Sequence, residues 1–342
     1  TGLRLEQLLR NVSAGTYPTY LGIDGPVVVS GQLRPFELFL DANVAVRDFA
    51  VTRSVDAPRT PATTVIAAGD GMVQARFGFS PEQMTIGADV ALLGDGKTRV
   101  DGLIEFHKGA RFRFVGKQLS LSKLGSIAEL PVAGTTDVEA DLTEDAGQVR
   151  VAGTFDAREA SFADIGLGTV GGKLTFQNQL LAFERLEMTS LEPIQGRGFV
   201  DFAPKRTHYR FEVDAKRAEV SQVFRALAKL DLPFDAPEGG ELAARLSFEG
   251  GHDAEGMELV STGKARAFRW YDEPWTTATY QIRYRPKRFR LDNLLLGKGS
   301  GGVSLRGEFA NGRSELQASA LRLRIEEFQY MNATGLQGEA NG

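Results

Sequence analysis

The sequence predicts an all-β fold: an elongated, curled antiparallel sheet built as a repeat array, with one short helix. Apolar and polar residues alternate with a period of two through much of the 342-residue chain. The 39 glycines and 22 phenylalanines, against 2 tryptophans, suit a sheet with many turns and an aromatic face. A later stretch also repeats an earlier one at a distance of 106 positions: Leu174 matches Tyr280, Phe176 matches Ile282, Phe183 matches Phe289 and Gly196 matches Gly302.

Alternating runs place the strands of the first half of the chain. Residues 25–49 are predicted to form two strands around a turn, and residues 52–64, which have no periodicity, a loop. Strands resume over 73–106, with a hairpin turn at Gly94-Asp95-Gly96, and continue over 110–116.

Each predicted repeat block ends in a coda, a short segment with two apolar residues three positions apart. The codas hold Leu5 and Leu8, Val46 and Phe49, Leu121 and Leu124, Val220 and Val223, and Ile325 and Phe328. Their spacing drifts from 41 to 105 residues, which indicates inserted hairpins, as a solenoid tolerates. We therefore predict one continuous β-groove over 1–342, a fragment of a longer chain, with approximate blocks 1–49, 50–130, 131–232 and 233–331 and a flexible tail at 332–342.

The fourth coda is longer than the others and follows helical spacing. Its apolar residues are Val220, Val223, Phe224, Leu227 and Leu230. We predict a short amphipathic helix around Ser221 to Leu230, ended by Pro233 and crossing or plugging the sheet. A linker over 235–240 then leads into the next strand.

A glycine also recurs shortly before an acidic residue and a phenylalanine, in 100–106, 196–202 and 305–309. A glycine at a fixed place in a strand usually marks a bend or a close backbone approach. We therefore expect strong curvature at these three places.

Composition restricts the possible functions. A net charge of -4 gives no electrostatic reason to propose nucleic acid as a partner. The absence of cysteine excludes disulfides, thiol catalysis and thiolate metal sites. Residues 1–30 carry no basic segment followed by an apolar run, so we expect any membrane anchor or export signal to lie outside this sequence.

Sequence motifs give no support for catalysis. Gly166 to Gly171 fits G-x-G-x-x-G, but a strand rather than a helix is predicted to follow, so we interpret it as a turn, and Gly297 to Gly302 as a corner. The three histidines, His107, His208 and His252, are far apart and are interpreted as exposed. We predict no enzyme activity, no metal and no cofactor, and we interpret the acidic pairs Asp272-Glu273 and Glu326-Glu327 as solvated.

The pattern of strand, Gly-bent strand, strand and coda, with few helices and no cysteine, resembles the AsmA-like proteins of bacterial envelopes, most closely those of the TamB kind. The resemblance covers nearly the whole chain and is one of pattern. It implies a long sheet curled into a U-shaped β-groove, a periplasmic location, an inner-membrane anchor outside this sequence, and movement of phospholipid toward the outer membrane. It also offers an alternative, a scaffold that assists outer-membrane β-barrel protein assembly through exposed sheet edges.

The candidate site is the apolar face of the sheet, which is either an open trough that binds acyl chains or an ordinary core between stacked sheets. Each buried methylene of a lipid tail contributes about 0.8 kcal/mol, so even a partly sheltered chain would bind. The predicted lipid-contacting residues all point inward from their strands: Val73, Ala75, Phe77, Phe79, Phe112, Phe114, Leu174, Phe176, Tyr209, Phe211, Val213, Leu242, Leu246, Phe248, Tyr280, Ile282, Tyr284, Phe289, Leu291, Leu305 and Phe309.

Two weaker alternatives concern other surfaces. The basic run that contains Arg283, Arg285, Lys287, Arg288 and Arg290 is dense enough to attract phosphate headgroups. A glycan-binding β-solenoid predicts exposed aromatic platforms, for which two tryptophans are few.

Overall fold

The structure is a computed structural model that describes most of the chain. The described residues are 3–4, 19–52, 64–92, 96–124, 126–127, 130–145, 148–162, 165–202, 208–228, 230, 232–251, 256–328 and 339–340. Antiparallel strands dominate these residues, which include one α-helix and two short 3-10 helices. The all-β prediction with one short helix is therefore confirmed.

The strands are numbered in chain order. The first twelve are β1 (Leu3–Arg4), β2 (Thr19–Asp24), β3 (Val27–Leu33), β4 (Phe36–Thr52), β5 (Thr64–Ala67), β6 (Gly71–Phe79), β7 (Gln83–Ala91), β8 (Lys97–Glu105), β9 (Gly109–Ser120), β10 (Ser126–Ile127), β11 (Leu130–Asp145) and β12 (Gln148–Phe162). The others are β13 (Ile165–Gln177), β14 (Leu180–Met188), β15 (Ile194–Asp201), β16 (His208–Glu219), β17 (Glu241–Gly251), β18 (Glu258–Trp270), β19 (Glu273–Arg285), β20 (Arg288–Lys298), β21 (Gly301–Ala310), β22 (Arg313–Leu321), β23 (Leu323–Arg324) and β24 (Glu339–Ala340).

The chain divides into two compact units. Unit 1 comprises Thr1–Ala163, Leu167–Arg185 and Phe199–Thr207, and unit 2 comprises Asp164–Gly166, Leu186–Gly198 and His208–Gly342. The block boundaries predicted from the codas stay predictions. Of the predicted tail, only Glu339 and Ala340 lie within the described residues, and they pair with β23.

Unit 1 is built around the long strand β4. On one side β4 pairs with β2 and β3, and on the other side with β5 and β6. From β6 the sheet continues through β7, β8 and β9 to β11 and β12, each antiparallel to the last. The predicted turn at Arg34-Pro35 joins β3 to β4. Residues 53–63, Gly94-Asp95 and the coda residues Leu5 and Leu8 lie outside the described residues.

Unit 2 contains an antiparallel meander from β16 to β22, in which each strand pairs with the next along the chain. Two-residue turns join successive strands at 271–272, 286–287, 299–300 and 311–312. The corner predicted in Gly297 to Gly302 is thus present, and Pro286-Lys287 forms the turn between β19 and β20.

The helix α1 spans Val220–Ala226, so it begins where predicted but ends well before Leu230. Beyond it the backbone tightens: the amide of Ala228 donates to the carbonyl of Arg225, and that of Leu230 to the carbonyl of Leu227. These bonds span three residues rather than four, which ends the α-helical geometry before Pro233 is reached.

The three-residue spacing of the codas has two structural origins. Leu121–Leu124 and Ile325–Glu327 form 3-10 helices, and Val220 and Val223 lie in α1. Val46 and Phe49, by contrast, lie within β4 on either side of a β-bulge at Asp48, whose φ is 56°. A bulge and a helical turn both bring residues three apart onto one side, so the spacing alone could not distinguish them.

The G-x-G-x-x-G segment is not a turn, so that interpretation is wrong. Gly166 to Gly171 lies inside β13, with Gly168 at a φ of 67°. Glycine adopts this left-handed conformation without steric cost, which lets the strand deviate locally without ending.

Candidate functional site

The pairing of strands in unit 1 gathers apolar side chains on a single face, here called the unit 1 face. One row across seven strands consists of Leu40, Phe77, Ile86, Gly102, Phe112, Leu142 and Val151. The predicted residues Val73, Ala75, Phe79 and Phe114 lie on the same face, because they stand an even number of positions from these along β6 and β9.

The large rings of the unit 1 face are only partly buried. Phe77, Phe79, Phe112 and Phe114 keep intermediate exposure, whereas the small side chain of Ala75 is 8% exposed. The rings of Phe112 and Phe114 stack with their centroids 6.3 Å apart. The unit 1 face therefore leaves part of its aromatic surface exposed to solvent and packs the rest against neighbouring side chains.

The unit 2 face is a comparable apolar surface over β16 to β21. One row contains Phe211, Phe248, Leu259, Tyr284, Phe289 and Phe309, and the next contains Val213, Leu246, Ser261, Ile282 and Leu291. Tyr209, Leu242, Tyr280 and Leu305 share the same face. All thirteen predicted residues from Tyr209 to Phe309 are thus brought together on it.

Burial on the unit 2 face is deeper than on the unit 1 face. Phe211, Phe248 and Phe289 are 6%, 4% and 3% exposed. The rings of Phe211 and Phe248 stack with centroids 4.9 Å apart. These three rings are packed as in an ordinary core, whereas other predicted residues of the face, such as Ile282 and Phe309, keep intermediate exposure.

A single ring shows that the unit 2 face is concave. Trp270 pairs with one end of β19, at Glu273, and Phe289 with the other end, at Tyr284. A straight strand would separate these positions by about 36 Å. The Phe234 ring nevertheless lies 5.9 Å from the Trp270 ring and 5.2 Å from the Phe289 ring, so those two rings are within about 11 Å of each other. The sheet of unit 2 must therefore curl, as the sequence predicted, and bring its two strand ends face to face.

Residues 232–240, here called the strap, hold Phe234 in this position. The backbone of Glu238 pairs with that of Arg269 through two hydrogen bonds of 2.8 and 2.9 Å. The indole nitrogen of Trp270 also donates to the carbonyl oxygen of Asp235 at 2.8 Å. The sequence indicated only a linker here, because prolines, glycines and acidic residues are typical of a linker. A single phenylalanine among them forms no pattern that predicts a contact.

The helix α1 covers a neighbouring part of the unit 2 face. Its Val223 packs against the buried cluster of Ile194, Ala215 and Ala218. Phe224 contacts the Phe234 ring edge to face at 6.1 Å, which connects α1 to the strap. The short helix thus packs on the sheet within unit 2, and its crossing or plugging of the sheet stays a prediction.

The predicted residues Leu174 and Phe176 belong to β13. Phe176 lies 6.3 Å from the ring of Phe202, and Phe183 of the adjacent hairpin strand lies 6.0 Å from Phe155. Phe155 pairs with Val138 in the unit 1 sheet, on the apolar side. The aromatic surface of unit 1 therefore extends at least to Phe183.

A polar pair interrupts the unit 2 face and was not anticipated from the sequence. The hydroxyls of Ser261 and Tyr280 lie 3.2 Å apart, and Ser261 is 4% exposed. Burial raises the pKa of the Tyr280 hydroxyl, and the hydrogen bond with Ser261 lowers it by less. The tyrosine therefore stays neutral and serves the face as a largely apolar ring.

The opposite side of the sheet is charged, and its arginines lie beside carboxylates. In unit 2, Arg283 lies between Glu258 and Asp292, at 3.9 Å from each. Arg285 pairs with Glu258, Arg288 with Glu308 and Arg290 with Asp292. The four arginines of the basic run thus share three carboxylates, so the run keeps an excess of positive charge and the phosphate-binding alternative stays a prediction.

The histidine and carboxylate candidates show no catalytic arrangement in the described ranges. His208 lies 3.1 Å from Glu249, and His107 occupies a turn at a φ of 66°, while His252 lies outside the described residues. Glu273 is not solvated as the sequence predicted, because its side chain is 16% exposed and accepts a hydrogen bond from Lys298, whose ammonium also lies 4.6 Å from the Phe328 ring centroid. Within those ranges no group of three or more metal-ligating side chains could hold an ion, and no helix is long and apolar enough to cross a bilayer.

Comparison with known proteins gives no relative from which to argue. No family model matches the chain, and neither the curated proteins nor the solved structures contain a match.

Proposed function

We propose that this chain is a lipid-transfer conduit whose apolar face binds phospholipid acyl chains while the headgroups stay in water. The observation that supports this most directly is the unit 1 face, where seven strands align apolar side chains and leave four phenylalanine rings partly exposed. A face built only for packing would bury rings of this size, since they are the largest source of hydrophobic stabilisation in a core.

Transfer of this kind needs no catalytic group. Each methylene that moves from water onto the face contributes about 0.8 kcal/mol, so a chain of ordinary length gains enough to stay bound. Because the rows repeat from strand to strand, neighbouring positions along the sheet offer a lipid similar contacts. The tail can therefore shift between them, and the direction of net movement is set elsewhere.

The cellular setting in this proposal comes from the resemblance to AsmA-like envelope proteins. It places the conduit in the periplasm, with the inner membrane as the site of an anchor outside this sequence and the outer membrane as destination. Phospholipid is then the partner, and the charge-paired outer surface faces the aqueous compartment.

Site-specific photo-cross-linking tests the proposal. p-Benzoylphenylalanine is placed at Phe77 on the unit 1 face or at Gln74 on the opposite side of the same strand, and the protein is mixed with vesicles of phosphatidylethanolamine and phosphatidylglycerol. Illumination should attach phospholipid at position 77 and leave position 74 unlabelled, as read by mass spectrometry. Equal labelling at both positions, or none at 77 in the folded protein, would contradict the proposal.

A scaffold for outer-membrane β-barrel assembly is the second candidate, and one strand favours it. All seven residues of β3 are exposed, including Val27, Val28 and Val29 at 48%, 62% and 60%. Described pairings of β3 involve β4 alone, and an apolar edge strand of this kind can accept a further strand by β-augmentation.

A further inference from the structure

We propose that Phe234 gates the unit 2 face: its ring occupies the place of an acyl chain, and lipid enters this stretch only when the ring leaves Phe289. The inference rests on the proposed function and adds to it a point of control within the chain.

The contacts of the strap are unequal on its two sides. Toward β18, the strap is held by the two backbone hydrogen bonds between Glu238 and Arg269 and by the bond from Trp270 to Asp235. Toward β20, the described contact is the edge-to-face approach of Phe234 to Phe289 at 5.2 Å. A ring contact without hydrogen bonds separates with less loss than a backbone ladder, so this side is the one that opens.

The Phe234 ring covers part of the unit 2 face. Phe289, which it contacts at 5.2 Å, is 3% exposed, whereas Phe309, the next member of the same row, is partly exposed. Phe234 is the residue that bridges Phe289 to the far strand end at Trp270. The strap therefore fills the concavity with an apolar group of the chain itself, which competes with any apolar ligand for the same surface.

The test places p-benzoylphenylalanine at Ile282, which lies on the unit 2 face in the row next to Phe289. Labelling by phospholipid from the same vesicles is compared in the otherwise unchanged protein and in Phe234→Ala, Phe234→Gln and Phe234→Leu. The Ala variant removes the ring and the Gln variant makes it polar, whereas the Leu variant keeps an apolar plug. We expect labelling at position 282 to rise several-fold with Ala and Gln and to stay near the starting level with Leu.

Parallel labelling at position 77 separates this inference from the proposed function. Labelling at 77 that does not respond to the Phe234 variants, together with the rise at 282, supports the gate. Equal labelling at position 282 in the protein with Phe234 and in Phe234→Ala would overturn the gate and leave the proposed lipid-transfer function intact. Absence of phospholipid labelling at position 77, in a protein that still unfolds cooperatively, would instead contradict the proposed lipid-transfer function. A variant that no longer unfolds cooperatively is replaced by the other opening variant.

Discussion

At the scale of single residues, the most informative feature is the hydroxyl pair on the unit 2 face. Ser261 and Tyr280 satisfy each other in a place where either hydroxyl alone would be costly to bury. Tyr280 is also the residue whose ring lies over Gly263, since a Cβ there would come within 2.7 Å of the tyrosine oxygen. Two small neighbours, a serine and a glycine, thus make room for one aromatic side chain.

Tyr280→Phe should change how stability depends on pH. Because the folded-state pKa of Tyr280 is raised above about 10, its contribution to stability is complete below pH 10 and is lost as the pH rises through the folded pKa. Unfolding in urea should therefore show a steeper fall in free energy above pH 10 for the native protein than for Tyr280→Phe. At neutral pH the variant should lose about 1 kcal/mol, because Ser261 loses its partner. Parallel curves for the two proteins at alkaline pH would show that Tyr280 ionises freely.

At the scale of strands, the recurring glycines lie beneath side chains of the neighbouring strand. A Cβ at Gly102 would come within 2.4 Å of the Phe112 ring, and one at Gly198 within 2.2 Å of the Phe211 ring. At Gly307 the closest atoms include the Glu315 carbonyl oxygen at 2.3 Å. At two of the three glycines a phenylalanine ring of the neighbouring strand occupies the place of a Cβ, and the strong curvature expected at all three stays a prediction.

Gly198→Ala should be destabilising, with Gly69→Ala as its control. The added methyl group at 198 meets the Phe211 ring and the Arg210 carbonyl oxygen, whereas one at 69 meets nothing within 4 Å. We expect a loss of about 1–3 kcal/mol for Gly198→Ala from overpacking, measured by urea unfolding. Gly69→Ala should be neutral or slightly stabilising, because alanine restricts the unfolded chain. Equal effects of the two substitutions would mean that Phe211 moves aside freely.

At the scale of the whole molecule, the described part of the chain includes one exposed apolar edge strand, β3. Leu33 at the end of β3 is 84% exposed, in addition to the three valines before it. Natural sheets usually protect such an edge with charge, proline or a cover. An edge left apolar is therefore the surface on which the scaffold alternative depends.

Val28→Lys tests that alternative. Val28 lies on the side of β3 opposite the unit 1 face, so a lysine there protects the edge and leaves the apolar rows unchanged. Capture of a purified outer-membrane β-barrel protein should fall with Val28→Lys and persist with Gln74→Lys, which places the same charge on an interior strand. Capture that survives Val28→Lys would exclude β3 as the docking strand, whatever the outcome of lipid labelling.

The sequence was sufficient to assign side chains to one face of the sheet or the other. It was insufficient to show that Phe234 bridges the two ends of the unit 2 face. Alternation depends only on neighbours along one strand, so residues such as Phe77 and Tyr284 could be assigned to a face by counting. The bridge from Phe234 to both Trp270 and Phe289 depends on the curl of several strands together, which no local pattern encodes. The same holds for the Ser261 and Tyr280 pair, whose members are 19 positions apart.

The β-bulge at Asp48 has a consequence for how such a chain can diverge. A single residue inserted into a strand moves every side chain between the insertion and the next turn to the opposite face of the sheet, unless a β-bulge accommodates the extra residue. Related sequences should therefore accept length changes within strands two residues at a time, or singly at positions such as Asp48 and Gln118, where φ is 56° and 52°. Whole hairpins, which restore the alternation by themselves, should be gained and lost more readily than single residues.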